Sequence, residues 1–288
     1  MQEPGLFGHE HAVFVPKGPP TSAQRKESDS HMATKPIRAV LFDMGGTLES
    51  LYYDESTRRK GACEMLEFLG RQDLDPGLSL PELQATVVFR MEGYQAWREH
   101  SEVELSPEKV WSEYIFPDCG LSKERLAAVA EDLAYLHATH FQVRSLRPEA
   151  PGVLETLRTR GFRLGVISNV LSRTLVASCL ADYGIAHYFE QVVTSAQFGW
   201  RKPNRRIFDE AARLMDVPPA SCAYVGDTLS RDVIGARRAG YGLAIQIRSF
   251  LTARSDQGIV DVEPDAAIQD LMQVVELVSP AGEAVEHG

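Results

Sequence analysis

The run Ala39-Val40-Leu41-Phe42 stops at Asp43 and is followed by Gly45-Gly46-Thr47. A continuous apolar run without alternation suits a strand covered on both faces, which belongs in a parallel sheet between layers of helix. Similar runs recur at Leu164–Ile167, Val192-Val193, Ala223–Val225 and Leu243–Ile247. Between the later ones lie helical patterns at Val153–Arg160, Leu171–Tyr183, Arg205–Met215 and Asp232–Ala239. This alternation predicts an α/β fold with a mostly parallel sheet and helices on both sides.

The 288 residues, 44% hydrophobic and 24% charged, have ordinary globular composition and suffice for a core domain plus a smaller one. A net charge of −10 speaks against nucleic acid or anionic membrane as the main partner. An anionic small molecule stays compatible, because a few cations govern the field inside one cleft. Cys63, Cys119, Cys179 and Cys222 show no paired spacing and read as reduced thiols. No apolar run reaches the roughly 20 residues of a membrane span. The N-terminus has no basic segment leading into an apolar stretch, so a cytoplasmic monomer or homodimer is expected.

Residues 52–143 interrupt the alternation with helical patterns and no persuasive buried strand. Ser106-Pro107 reads as N-cap and first helical residue, and Leu126, Val129, Leu133 and Leu136 recur at helical spacing behind Ser122. The expected division is a disordered tail over 1–35, a core over 36–51 and 144–278, a helical insertion over 52–143, and a flexible tail over 279–288. Met32 marks a second possible start, or the end of an added leader, and His9, His11 and His31 read as solvated tail residues.

Ligands of open α/β sheets bind beyond the carboxyl ends of the strands. There the sequence places Asp43 to Thr47, then Ser168-Asn169, then Gly199-Trp200-Arg201-Lys202-Pro203, then Gly226-Asp227 with Asp232 five residues on. Singly these are turn residues, helix caps and a solvated cation. Their order at consecutive strand ends sets them apart.

These four loops resemble the motifs of the haloacid dehalogenase superfamily, across roughly residues 36–50 and 146–278. The resemblance implies a Rossmann-like three-layer core with an inserted α-helical cap at 52–143, and a hydrolase that removes phosphate from a small phosphorylated metabolite. It implies Asp43 as a nucleophile forming an aspartyl-phosphate, with Thr47 supporting its loop. Ser168 would bind the phosphoryl oxygens and Lys202 would neutralise charge, with Asn169 as a further contact. Mg²⁺ would be held by Asp43, the carbonyl of Gly45 and Asp227, with Asp232 supporting the ion or its waters. The chemistry is consistent, since phosphoryl transfer needs positioning and charge neutralisation, and clustered carboxylates suit a hard cation.

Gly45 departs from the pattern, because phosphatases of the superfamily usually carry a second Asp there to protonate the leaving oxygen and then activate water. Losing such a group typically costs 10²–10⁴-fold. Glu49, Asp54 or a cap residue is the candidate substitute. The superfamily's dehalogenases also lack an acid at this point, so displacement of halide from a 2-haloacid is the alternative enzyme reading. Against it stand Asp227 and Asp232, costly to bury together without a cation. A catalytically weak, phosphate-binding regulator is the non-enzymatic alternative.

The Asp-x-Gly-Gly-Thr hairpin is also similar to that of sugar kinases and actin-like ATPases, but Leu48–Thr57 shows no clear alternation for the strand that should follow. Lys60 falls in the surface charge run Arg58-Arg59-Lys60. Tyr94, Trp97 and Arg98 share one helix and could face the cleft, although aromatics at that spacing are usually core. A cap hinged near 50–55 and 143–148 would admit substrate and then exclude water. The glycine at 45 predicts faster hydrolysis of acyl or aryl phosphates than of sugar phosphates at saturating Mg²⁺; equal rates on both classes would contradict it.

Overall fold

The computed structural model describes residues 36–250 and 252–278, so the expected tails over 1–35 and 279–288 lie outside the described residues. Its strands are β1 (Ala39–Phe42), β2 (Glu49–Tyr52), β3 (Val143–Leu146), β4 (Arg163–Ser168), β5 (Gln191–Thr194), β6 (Cys222–Gly226), β7 (Leu243–Ile247) and β8 (Ala266–Ile268). Six of them form one sheet in the order β5-β4-β1-β6-β7-β8, with every neighbouring pair parallel. No helix among the described residues is long and apolar enough to cross a membrane.

The unbroken apolar character of β1 follows from burial on both sides. Val40 and Phe42 pack with the helices Ala150–Thr159, Leu175–Asp182 and Met272–Leu277. Ala39 and Leu41 face the other way, onto Arg205–Leu214 and Ile234–Ala239. The result is the three-layer, Rossmann-like arrangement. β8 was not foreseen, since three residues are too few for a periodic signal. The expected helix over Leu171–Tyr183 forms only from Leu175, because Glu131 takes the backbone N–H groups of Arg173 and Thr174 and the hydroxyl of Ser172.

Four helical stretches separate β2 from β3: α1 (Glu55–Arg71), α2 (Leu80–Ser101), α3 (Pro107–Lys109, continuing as a wider turn over Val110–Ile115) and α4 (Lys123–His140). Asp54, Ser79, Ser106 and Ser122 are their N-caps. The helices enclose an apolar core of their own around Met65, Leu83, Tyr94, Trp111 and Leu133.

The segments that enter and leave this helical module differ from the expected loops. β2 and β3 pair antiparallel, Glu49 with Leu146 through Tyr52 with Val143. The alternation in β2 is real but places Glu49 and Leu51 inward and Ser50 and Tyr52 outward, so a charged residue occupies an inward position and hides the pattern. β2 pairs with β3 and not with β1, which removes the kinase-like hairpin.

The module is also tied to the sheet at a second place. Val103 bridges Trp200, the amide of Glu104 donates to the carbonyl of Gly199 at 2.9 Å, and that of Arg201 donates to Glu102 at 3.1 Å. The buried carboxylate of Glu104 then lies 3.1 Å from both Arg98 and Arg201 and accepts from Tyr94 at 2.7 Å and Ser195 at 2.8 Å. Burial drags the Arg201 guanidinium down to about 9 even with this partner. Glu104→Ala strands that cation, and a broken buried pair costs about 3–5 kcal/mol. Urea denaturation should show a loss of that size, with Glu104→Gln losing less.

Candidate active site

β1 lies between β4 and β6, and Phe42 pairs with both Val166 and Val225, close to the carboxyl ends of all three strands. The residues just past those ends therefore meet. The amide of Asp43 donates to the carbonyl of Val225 at 2.8 Å, and its Oδ1 accepts from the amide of Met44 at 2.7 Å. Lys202 Nζ lies 2.8 Å from Asp43 Oδ1 and 2.7 Å from Asp232 Oδ1, and donates to Tyr224 Oη at 2.8 Å. The lysine is 1% exposed, so its charge is spent on these neighbours and not on water.

Asp232 is closely held. Its Oδ2 accepts from the amide of Thr228 at 2.9 Å and from the Thr228 hydroxyl at 2.7 Å. Burial pushes its carboxyl upward, but Lys202, Arg231 and those hydrogen bonds outweigh burial and hold it below the ordinary range. Asp43 goes the other way, because its burial outweighs Lys202 and Asp232 adds repulsion. In Asp227, burial and the two neighbouring carboxylates raise the pKa to about 7.

Asp43, Asp227 and Asp232 offer oxygens within 4.8 Å of one another. Ser249 donates to Asp227 Oδ2, whereas the buried Oδ1 has no hydrogen-bond partner among the described residues. An orphaned, buried carboxylate oxygen beside two further carboxylates fits a hard divalent cation. Two glycines permit the crowding. Gly46 has φ +83°, and a Cβ there would fall 2.3 Å from Asp227 Oδ2; one on Gly226 would fall 2.4 Å from the Cβ of Asp232.

The other expected residues are nearby, with some different tasks. Ser168 is 3% exposed and lines the same cavity as Asp43 and Lys202. Asn169 was expected to contact phosphate or leaving group, yet both ends of its amide are engaged. It accepts from the Lys202 amide at 2.8 Å and donates to the Lys202 carbonyl at 2.9 Å. The Thr47 hydroxyl is buried and has no partner among the described residues.

Asp54 is exposed and occupied in capping α1, and Lys60 lies on the solvent face of that helix. Glu49 is wholly buried, ion-paired with Arg144 and accepting from Tyr183 at 2.9 Å. Of the three residues proposed to face the cleft from α2, Tyr94 is core and Arg98 reaches the cavity, while Trp97 stacks on Tyr94.

A cavity of about 470 Å³ lies between the strand ends and the helical module. Its cationic lining comprises Arg58, Arg98, Arg144, Arg201, Lys202 and Arg231, against Asp43, Glu92 and Glu99. A protein of net charge −10 thus holds a locally basic cleft. His137 also lines it, and burial together with Arg98, Arg144 and Arg58 pushes that imidazole down to about 4, so it is neutral at pH 7. Most of these residues carried no sequence signal, because they come from α1, α2, α4 and β3 and are collected only by packing. Asp43, Lys202 and Arg98 are the exceptions, together with Arg201 and Arg231, which adjoin Lys202 and Asp232 in the chain.

Comparison with known proteins agrees with this geometry. The family model of haloacid dehalogenase-like hydrolases matches residues 37–240. A glyceraldehyde 3-phosphate phosphatase from Methanopyrus kandleri is 33% identical over 244 residues, covering 83% of this chain and 97% of its own. A phosphoserine phosphatase from Thermus thermophilus is 29% identical, over 73% of this chain and 89% of its own. The crystal structure of a 2-haloacid dehalogenase from Pseudomonas syringae pv. tomato superposes with a TM-score of 0.58 at 25% identity, covering 84% of this chain and 97% of that one. With the Asp43 loop, the buried lysine and the carboxylate cluster past the strand ends of one sheet, and a family match over most of its length, the chain belongs to the haloacid dehalogenase-like hydrolases.

Proposed function

We propose that the protein is a Mg²⁺-dependent phosphatase that acts on a small phosphorylated metabolite through an aspartyl-phosphate on Asp43. The observation that carries this reading is Asp43 Oδ1 held 2.8 Å from Lys202 Nζ, beside the unpartnered oxygen of Asp227, at a cavity with a basic lining. A cavity of about 470 Å³ suits a metabolite-sized ligand. The relatives' names, glyceraldehyde 3-phosphate phosphatase and phosphoserine phosphatase, point to small monophosphates.

In this reading Asp43 attacks phosphorus, and Lys202 offsets the repulsion between the anionic nucleophile and the anionic substrate. Asn169 keeps Lys202 in place by grasping its main chain, and the Ser168 hydroxyl donates to a phosphoryl oxygen. Thr47 supports the nucleophile loop. Asp43, Asp227 and the carbonyl of Gly45, supported by Asp232, would hold a Mg²⁺ ion, which would supply positive charge to offset that of the phosphoryl group. The helical module acts as the cap that excludes water and selects the substrate.

A panel of phosphorylated metabolites and a 2-haloacid, each with Mg²⁺ or with chelator, tests the proposal. Phosphate release that requires the ion and is lost in a folded Asp43→Asn protein is the expected result. Halide release that persists in chelator, without phosphate release, would overturn it in favour of dehalogenation.

A second prediction concerns stability without metal. The folded pKa of Asp227, about 7, exceeds its unfolded value near 3.8, so the folded state holds the proton more tightly. This group's contribution to stability is therefore fully present below the unfolded value and is lost as pH rises through about 7. In chelator, Asp227→Asn should match the wild type in melting temperature near pH 4 and exceed it near pH 8. Adding Mg²⁺ at pH 8 should raise the wild type and leave the variant unchanged.

A further inference from the structure

We infer that Arg144, positioned by Glu49, takes the place of the carboxyl group missing at residue 45 and stabilises the leaving oxygen as an anion instead of protonating it. This rests on the phosphatase reading above and deepens it by assigning a leaving-group class: acyl, enol and aryl phosphates, whose departing oxygen is a stable anion.

The space beside Gly45 is bounded by β2. A Cβ built there would meet Leu51 Cδ1 at 2.9 Å and Glu49 Oε1 at 3.8 Å. Glu49 thus puts a carboxylate beside the place where a side chain at 45 would project. It cannot itself serve the substrate, because it is wholly buried and both oxygens are engaged, one by Arg144 and the other by Tyr183. What reaches the cavity is the guanidinium beyond it. Arg144 lines that cavity together with Asp43 and Gly45, and its Nε is anchored on the carbonyl of Ala138 at 2.8 Å. The other paired arginines of the lining have their carboxylates elsewhere, Arg98 and Arg201 on Glu104, Arg231 on Glu99 and Arg58 on Glu92. A guanidinium donates several hydrogen bonds and is not a ready proton source. It can solvate a departing oxyanion but cannot act as its acid.

An oxygen of Asp43 bonds to phosphorus while the bond from phosphorus to the leaving oxygen breaks, its electron pair staying on that oxygen opposite Arg144. The freed anion takes a proton from solvent. Water then bonds to phosphorus, the bond to Asp43 breaks, and its electron pair restores the carboxylate. One proton of that water stays with the phosphate, and the other replaces the one taken by the leaving oxygen.

The test uses the full-length protein with Mg²⁺ and a series of monophosphates from dinitrophenyl through phenyl to alkyl. Arg144→Gln should lower kcat/KM about tenfold or less for the dinitrophenyl ester, and by about 10²-fold or more for the phenyl and alkyl esters. Arg144→Lys should recover part of the loss. Because Arg144→Gln leaves Glu49 buried and unpaired, the double variant Glu49→Gln/Arg144→Gln provides a neutral pair that folds, and it should show the same graded loss. The wild type should also show no fall in kcat between pH 7 and 9 from a titrating general acid. Equal losses along the series, or such a fall, would overturn the inference. Asp43→Asn separates it from the underlying reading: activity surviving in that variant rejects the nucleophile, whereas its loss alongside a uniform Arg144 effect rejects Arg144 alone.

Discussion

A single buried lysine holds the centre of this molecule together. Lys202 Nζ sits 2.8 Å from one carboxylate and 2.7 Å from another, with a third, that of Asp227, a short way off. Removing such charges from water costs several kcal/mol per ion, and Lys202 with the neighbouring Arg231 leaves the three carboxylates incompletely compensated. The imbalance is visible in the raised carboxyls of Asp43 and Asp227, while Asp232 stays low because it has the most donors. The fold bears the cost by mooring each group to strand-end backbone, and on the proposed reading a divalent cation supplies the missing charge.

The cavity depends on the same economy of charge at larger scale. The helical module has an apolar core separate from the two beneath and above the sheet. It is joined to the sheet by the β2–β3 ribbon and by the contact of residues 102–104 with 199–201. Glu104 concentrates that contact, drawing Arg98 from the module and Arg201 from the sheet onto one buried carboxylate. The guanidiniums are thereby fixed at the cavity wall, where they give an acidic protein a site attractive to anions.

Reading the chain from its pattern succeeded where burial and apolarity coincide. β1, β4, β6 and β7 are covered on both faces, so nothing in them alternates and their positions were plain. The ribbon was missed for the converse reason: Glu49 and Arg144 satisfy each other inside the protein, and a periodicity that treats charge as exposure cannot register an internal ion pair. Asn169, which also lines the cavity, shows a finer distinction. Its place after β4 was legible, but whether its amide faces a ligand or grips Lys202 depends on a contact across 33 positions of the chain.

The layered parallel sheet and the polar residues at its strand ends are written in local pattern, because hydrophobic burial is local in origin and strand ends follow from where apolar runs stop. Which of those residues touch, which oxygen of Asp227 lies unsatisfied, and which arginines from α1, α2 and β3 share a wall with Asp43 depend on three-dimensional packing. Electrostatic energies depend on distance and desolvation, and neither exists until segments far apart in the chain have packed together.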